Sequence, residues 1–307
     1  MREHLAPSLY FLQVHLLYAT LVALGAWALT SVRAVNVTVK YWTCTAASLY
    51  FIVPLGGFID GFGAHDLPGA QQLGSLAALG LMLARHWSVV ALLAGVWGAG
   101  AALLLLRLLI RIGREWRTHG SGQPRGAPAF HVQGVPVHFI AGCPGPAVGG
   151  MWRCHICLPP GIRHLLSERE LQAVLLHEVT HARRRDNLLR LIHELAQCLL
   201  WFHPLLWLTG ARLALYRELS CDASVLKGNG AAPLIRALAK LTGSGNGPVL
   251  RSAATSLAAQ RLERLLAPAR EAGRWLDAAL LAAFATLLAA GVFLTVAHTA
   301  CCLVPMT

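Results

Sequence analysis

Apolar positions run almost unbroken over four stretches of this chain, residues 9–30, 43–59, 87–106 and 275–297. A helix needs about 20 such residues to cross the hydrocarbon of a bilayer. The first, third and fourth stretches reach or approach that length. The second is shorter, with Tyr41 and Trp42 as interfacial anchors. Residues 73–84 are apolar but too few to span, and predict an interfacial or re-entrant piece. Between the third and fourth stretches the pattern changes. The segment FHVQGVPVHFIAG alternates with a period of two, which predicts a short strand pair, and GMWRCHICLPPGI predicts another strand stopped by two prolines. From Ser167 the spacing becomes helical. Ser167 and Glu170 form a capping box, and Leu171, Val174, Leu175 and Val179 supply an apolar stripe. Trp201-Phe202-His203-Pro204 breaks that helix, and a second runs to about Leu226, before Lys227-Gly228-Asn229-Gly230. The expected fold is a mainly α membrane protein. Residues 1–110 hold three transmembrane helices, 111–274 an α+β domain entered through the Gly/Pro-rich linker THGSGQPRGAPAF, and 275–307 the fourth helix and a short tail.

Composition agrees with the membrane reading. Of 307 residues 56% are apolar and only 13% charged, with a mean hydropathy of +0.55, whereas a soluble domain carries roughly a quarter charged residues. The net charge is +12. All the Lys and Arg except Arg2, Arg33, Lys40 and Arg85 fall between Arg107 and Arg274. Such a basic balance suits nucleic acid, but no aromatic-interleaved basic patch accompanies it, so no direct nucleic-acid contact is expected. The positive-inside rule accounts for it instead. Arg107, Arg111, Arg114 and Arg117 set the end of the third span in the cytoplasm, Arg270 and Arg274 set the start of the fourth there, and Arg33 and Lys40 agree. The expected location is a cytoplasmic (inner) membrane, with both termini outside and the 111–274 domain inside. The first stretch could instead be a secretory signal, with Ala26-Trp27-Ala28 imitating a cleavage site; its long apolar run and the offset of Arg2 by Glu3 argue for a retained span. The eight cysteines are scattered and suggest no disulfide framework. The lone Cys154-His155-Ile156-Cys157 is a weak metal or redox signal.

The chemistry concentrates at LLHEVTHARRRDN, residues 175–187. His177 and His181 are four apart on one helix, so their rings leave the same face and suit two nitrogen ligands on a single Zn2+. Glu178 lies beside that face, where it can serve a water without being a ligand. A catalytic zinc takes three protein ligands and leaves a position open. On the second helix Glu218 and Asp222 share a face, and antiparallel packing of the two helices brings Glu218 towards the histidines. Glu218 is the expected third ligand, and Asp222 the acceptor that orients an imidazole, His177. Plainer readings are a pair of packed helix-face histidines, and an ion pair of Glu218 with Arg217 or Arg212.

These residues resemble the BlaR/MecR-type antirepressor metalloproteases, integral-membrane zinc peptidases of bacteria. The likeness rests on four features: Gly150-Met151-Trp152-Arg153-Cys154-His155-Ile156-Cys157-Leu158-Pro159, the zinc helix LSERELQAVLLHEVTHARRRDN, the breaking FHPLLWL, and RELSCD. The four-span layout adds to it. Cys154 departs from the family's proline. The resemblance implies a gluzincin-like zinc endopeptidase that cleaves itself, a cytoplasmic winged-helix repressor, or both, in transmembrane signalling. In it Glu178 is the catalytic base, and His193, His203 or Tyr216 is an oxyanion donor. Trp152, Arg153, Cys154, His155 and Ile156 form a strand on which an extended substrate could pair. The best-known members carry a penicillin-binding sensor after the fourth span, and this chain ends at Thr307, so β-lactam sensing is not implied. Input is expected through the spans, the short outer loops or a partner. Alternatives are a quality-control membrane protease of the HtpX or CAAX type, and a non-catalytic receptor that uses zinc structurally.

Overall fold

The computed structural model describes residues 5–52, 87–118, 126–243, 251–266 and 273–303. The far end of the second expected span, the 73–84 segment and residues 119–125 of the linker lie outside them. Among the described residues three helices contain stretches long and apolar enough to cross a membrane: α1 (Leu5–Ser31), α3 (Trp87–Thr118) and α10 (Arg274–Leu303), over Leu12–Ser31, Ser88–Glu115 and Trp275–Thr295. The described part of α2 (Val37–Ile52) has 16 residues. It is the most interior of the four, with Tyr41, Cys44, Ala47, Tyr50 and Phe51 all buried. Val22, Ala26, Ala47, Tyr50, Phe51 and Phe284 from α1, α2 and α10 form one core, and Ala196 and Leu206, from beyond the sheet, share it.

Four short strands, β1 (Phe130–Val132), β2 (Val135–Phe139), β3 (Ala147–Gly149) and β4 (His155–Leu158), make a sheet of order β1-β2-β4-β3. The alternating segment gives the β1–β2 hairpin, turned at Gln133 and Gly134, whose φ values of 47° and 83° are those of a tight hairpin turn. β4 runs parallel to β2 and antiparallel to β3, so both its edges are paired. All four of its residues are buried, which a continuous apolar run allows and a solvent-facing strand would not.

After the single turn α4 (Ile162–Leu165) comes α5 (Glu168–Arg184). The Ser167 side chain accepts from the N3 backbone N–H, and the Ser167 N–H donates to Glu170 Oε2 at 2.9 Å. Its stripe of Val174, Leu175 and Val179 packs on Val137, Ile156 and Leu158 of the sheet. The sequence pattern predicts one helix continuing to Trp201. The chain instead breaks at Arg185, which takes the left-handed conformation (φ 55°, ψ 45°), ending α5 and starting α6 (Asp186–Leu199). That strained residue turns Asp186 back onto α5, where three hydrogen bonds hold it. α7 (Pro204–Asn229) follows, starting with Pro at its first position and ending three residues later than expected. α8 (Ala231–Gly243) and α9 (Arg251–Leu266) complete the domain, packing Leu234 and Leu265 against Ala173 and Val225.

Candidate metal centre

α5 and α7 bring five of the sequence-expected residues together. His177 Nε2 and His181 Nε2 are 3.1 Å apart. Glu218, from α7, approaches both: its Oε2 lies 3.4 Å from His177 Nε2 and its Oε1 3.7 Å from His181 Nε2. The opposite nitrogens are held from behind. His177 Nδ1 donates to Asp222 Oδ1 at 2.9 Å, and His181 Nδ1 donates to Asp186 Oδ2 at 2.6 Å. With both Nδ1 atoms used as donors, the two Nε2 lone pairs and the Glu218 carboxylate converge on one space. Zinc–nitrogen bonds of about 2.0–2.1 Å at a tetrahedral angle set ligand nitrogens about 3.3 Å apart. The 3.1 Å separation fits that requirement.

A second donor group is His177, His181 and Cys221, whose ligand atoms all lie within 4.8 Å of one another. Cys221 Sγ, however, is 3.4 Å from His181 Nδ1, the nitrogen already held by Asp186, and 2.9 Å from an Arg184 nitrogen. It sits behind the imidazole, on the side away from the paired Nε2 atoms. Burial pushes its thiol upward, against the thiolate a metal needs.

The electrostatics follow from the enclosure. Burial alone would lower the histidines, but the Asp222 and Glu218 carboxylates hold His177 above its ordinary value, and Asp186 and Glu218 do so for His181. Burial would raise Glu218, and the two imidazoles hold it well below the usual carboxylate range. Asp222 is likewise held down against burial, by His177 and Arg261.

Arg261 was not legible in the sequence. It arrives from α9, gripping Asp222 through two bonds of 2.8 and 2.7 Å, with another nitrogen 3.4 Å from Glu218 Oε2. Nothing in its surroundings (LAAQRLERLL) distinguishes it from its neighbours. Tyr41 was seen only as an anchor. Its hydroxyl donates to Asp186 Oδ1 at 2.7 Å, linking α2 directly to the carboxylate behind His181. Asp186 braces His181. Of the three arginines before it, Arg184 is enclosed between Asp186, Ser220 and the Tyr41 ring.

A cleft of about 1080 Å³ opens over the centre, lined by His177, Glu178, His181, Glu218 and Arg261, with Pro146–Arg153 on one wall and Arg111, Glu115, Arg190 and Glu194 on another. Among the described residues Glu178 makes no hydrogen bond or ion pair, leaving its carboxylate available to the cleft. The three residues considered as oxyanion donors are turned away. His193 is buried against Gly210, where an added Cβ would come 2.4 Å from its Nε2. His203 Nε2 pairs with Thr20 at 3.0 Å, and the Tyr216 hydroxyl donates to the Thr30 carbonyl at 3.0 Å. The expected substrate-pairing strand also needs correction. Trp152 and Arg153 line the cleft, but Trp152–Cys154 is not strand, and His155 and Ile156 belong to β4, which has no unpaired edge. The edge facing the cleft is β3, and there Asn187 donates to the Val148 and Gly150 carbonyls at 2.8 and 3.1 Å. Cys44, Cys143, Cys154, Cys157, Cys198 and Cys221 are free thiols.

The model of the family described as BlaR1 peptidase M56 matches residues 67–232. A regulatory protein, BlaR1, of Bacillus licheniformis is 38% identical over 82 residues, 27% of this chain and 14% of its own length. The methicillin resistance protein mecR1 of Staphylococcus aureus is 24% identical over 98 residues, 32% of this chain and 17% of its own length. The chain thus spans only about a sixth of the curated relatives it matches.

Proposed function

Since the chain belongs to the BlaR1 peptidase M56 family, we propose that it is a membrane-bound zinc endopeptidase whose one Zn2+ is held by His177, His181 and Glu218. The observation that carries this is the convergence of two imidazole nitrogens 3.1 Å apart with a carboxylate at 3.4 and 3.7 Å, each imidazole fixed from behind by its own aspartate. Zinc in such a site supplies Lewis acidity and brings the pKa of water to roughly 7. The remaining chemistry belongs to the chain. The Glu178 carboxylate, unengaged and facing the cleft, accepts a proton from the attacking water and returns it to the leaving amine. Asp222 and Asp186 hold the imidazoles in the tautomer that leaves Nε2 as the lone-pair atom. Arg261 helps to keep Asp222 ionised and stands beside Glu218. An extended substrate adds to β3, displacing the Asn187 amide from the Val148 and Gly150 carbonyls.

The proposed substrates are proteins: a repressor-type cytoplasmic regulator, this chain itself, or both. The relatives' names, a regulatory protein and a methicillin-resistance protein, support a signalling role. The proposed location is a bacterial inner membrane with the peptidase on the cytoplasmic side and both termini outside, supported by the basic residues at the span ends. The test is mass spectrometry of membranes expressing wild type and Glu178→Gln. Fragments unique to the wild type are expected, with zinc retained in both. A signalling output that survives Glu178→Gln unchanged overturns the enzymatic reading and leaves a zinc-containing receptor.

A further inference from the structure

The corner joining α6 to α7 lies within the region expected to sit in the cytoplasm, yet three membrane helices place it elsewhere. On α1, Thr20 meets His203 at 3.0 Å; it lies 11 residues, about 16 Å along a helix, from the polar end at Ser31. On α2, the Phe51 ring stands 4.8 Å from the His203 ring. Phe51 lies 14 residues, about 21 Å, from Val37, which starts the helix. On α3, the Trp201 indole fills the space over Gly100, where a Cβ would come within 2.6 Å. Gly100 is about 16 Å from Arg111, whose ion pair with Glu194 marks the polar end of that contact. The three measurements set the corner between half and two-thirds of the way through a hydrocarbon layer roughly 30 Å thick.

The backbone of the corner carries an independent signature. A helix end leaves carbonyls without partners. In water the solvent satisfies them, whereas in hydrocarbon the protein must. Here indole N–H groups supply the donors: Trp97 Nε1 to the Leu199 carbonyl at 2.7 Å and Trp207 Nε1 to the Trp201 carbonyl at 2.9 Å. Trp201 Nε1 in turn donates to the Trp97 carbonyl at 3.2 Å. The outward surface is apolar. Leu199, Phe202, Trp207 and Leu208 are 41 to 53% exposed, and no Asp, Glu, Lys or Arg occurs between Glu194 and Arg212. Arg212 returns to the polar level, bonding the Trp27 carbonyl and Thr30. Ala196 and Leu206 share their core with the membrane helices rather than with the sheet.

We infer that α6 and α7 form a re-entrant hairpin whose corner is covered by lipid acyl chains. The inference rests on the membrane reading proposed above. It also sets the depth of the metal centre. Asp186, bonded to Tyr41 near the start of α2, is at the level of the polar span ends. Tyr216, two residues before Glu218, is there too, bonded to the Thr30 carbonyl. The hairpin therefore anchors the centre at the headgroup layer, and substrate enters the cleft at the bilayer surface.

The test uses full-length protein in liposomes, with an environment-sensitive fluorophore on Phe202→Cys or Leu208→Cys. Leu92→Cys, exposed on α3, is the span reference and Arg169→Cys the aqueous one. Wild type labelled in parallel gives the background from native cysteines. The expected result is loss of iodide quenching at 202 and 208, to the level of the span reference, together with quenching by nitroxide-bearing lipid chains. Iodide quenching at 202 and 208 equal to that at 169, with the span reference protected, overturns the hairpin alone. Iodide quenching at the span reference as well overturns the membrane reading and the hairpin with it. Either corner variant decides the matter if the other does not insert.

Discussion

Each histidine of the centre uses one nitrogen as a donor so that the other is left as a ligand, and this division of labour fixes its pH behaviour. Because the carboxylates hold both imidazoles above the ordinary 6.5, the proton competes with metal already above that pH. Zinc affinity is full well above the raised values and weakens progressively as pH falls through them. Chelator competition at stepped pH should show the apparent affinity starting to fall above pH 6.5. Asp186→Asn removes the acceptor at 2.6 Å from His181 Nδ1 and should weaken zinc binding about 10- to 100-fold, read by competition with a chromophoric chelator. Tyr41→Phe keeps the ring against Arg184 and removes only the bond to Asp186. It should weaken zinc less than Asp186→Asn and add nothing in that background. At this scale the sequence was readable wherever spacing within one helix carried the information. His177 with His181 and Glu218 with Asp222 are four-residue pairs, and a 3.6-residue period puts each pair on one face. Arg261 and Tyr41 were not readable, because their roles depend on distant helices docking. The same dependence hides the places of His193, His203 and Tyr216: the sequence marks two helices and the break at His203, but not the faces that meet the cleft.

Elements explain where the side chains could go. The capping box at Ser167 was legible because all its atoms lie within four residues. Glu170 there is held down to about 2 by Lys240 and the Ser167 N–H. A depressed carboxylate contributes stability above its ordinary value of 4.5 and loses it as pH falls towards 2. Thermal melts followed by helical ellipticity should therefore separate wild type from Glu170→Gln at pH 6, the gap closing as the buffer approaches pH 2. The break at Arg185 was not legible, since no glycine or proline marks it. Tertiary bonds to Asp186 decide it. The alternation predicts β1 and β2 and the run at 155–158 predicts β4, but pairing order is a property of the whole sheet, so the central place of β4 is not legible in its own residues. On α3, Gly100→Leu should displace Trp201 from its seat and lower the melting temperature, while Gly98→Leu, where an added Cβ meets nothing within 4 Å, should not.

For the whole molecule, hydropathy delivered the membrane class and the helices α1, α3 and α10, because a bilayer demands long unbroken apolar runs. It did not deliver the α6–α7 corner, whose apolar run is interrupted by His203 and Pro204 and shared between the end of α6 and the start of α7. The resulting architecture hangs the peptidase from the span ends. α2 contacts Asp186, α1 contacts Arg212 and Tyr216, and α3 pairs Arg111 and Glu115 with Glu194 and Arg190. Movement of α1 or α2 is thus applied within a few bonds of the candidate metal centre, and movement of α3 is applied to α6, which begins at Asp186. That centre remains the premise of the whole account. Zinc-edge X-ray absorption on purified full-length protein reads its ligands directly. The account predicts one zinc per chain surrounded only by nitrogen and oxygen, two of the scatterers being imidazoles. A sulfur shell near 2.3 Å, placing Cys221 rather than Glu218 on the metal, or protein that binds no zinc, would contradict it.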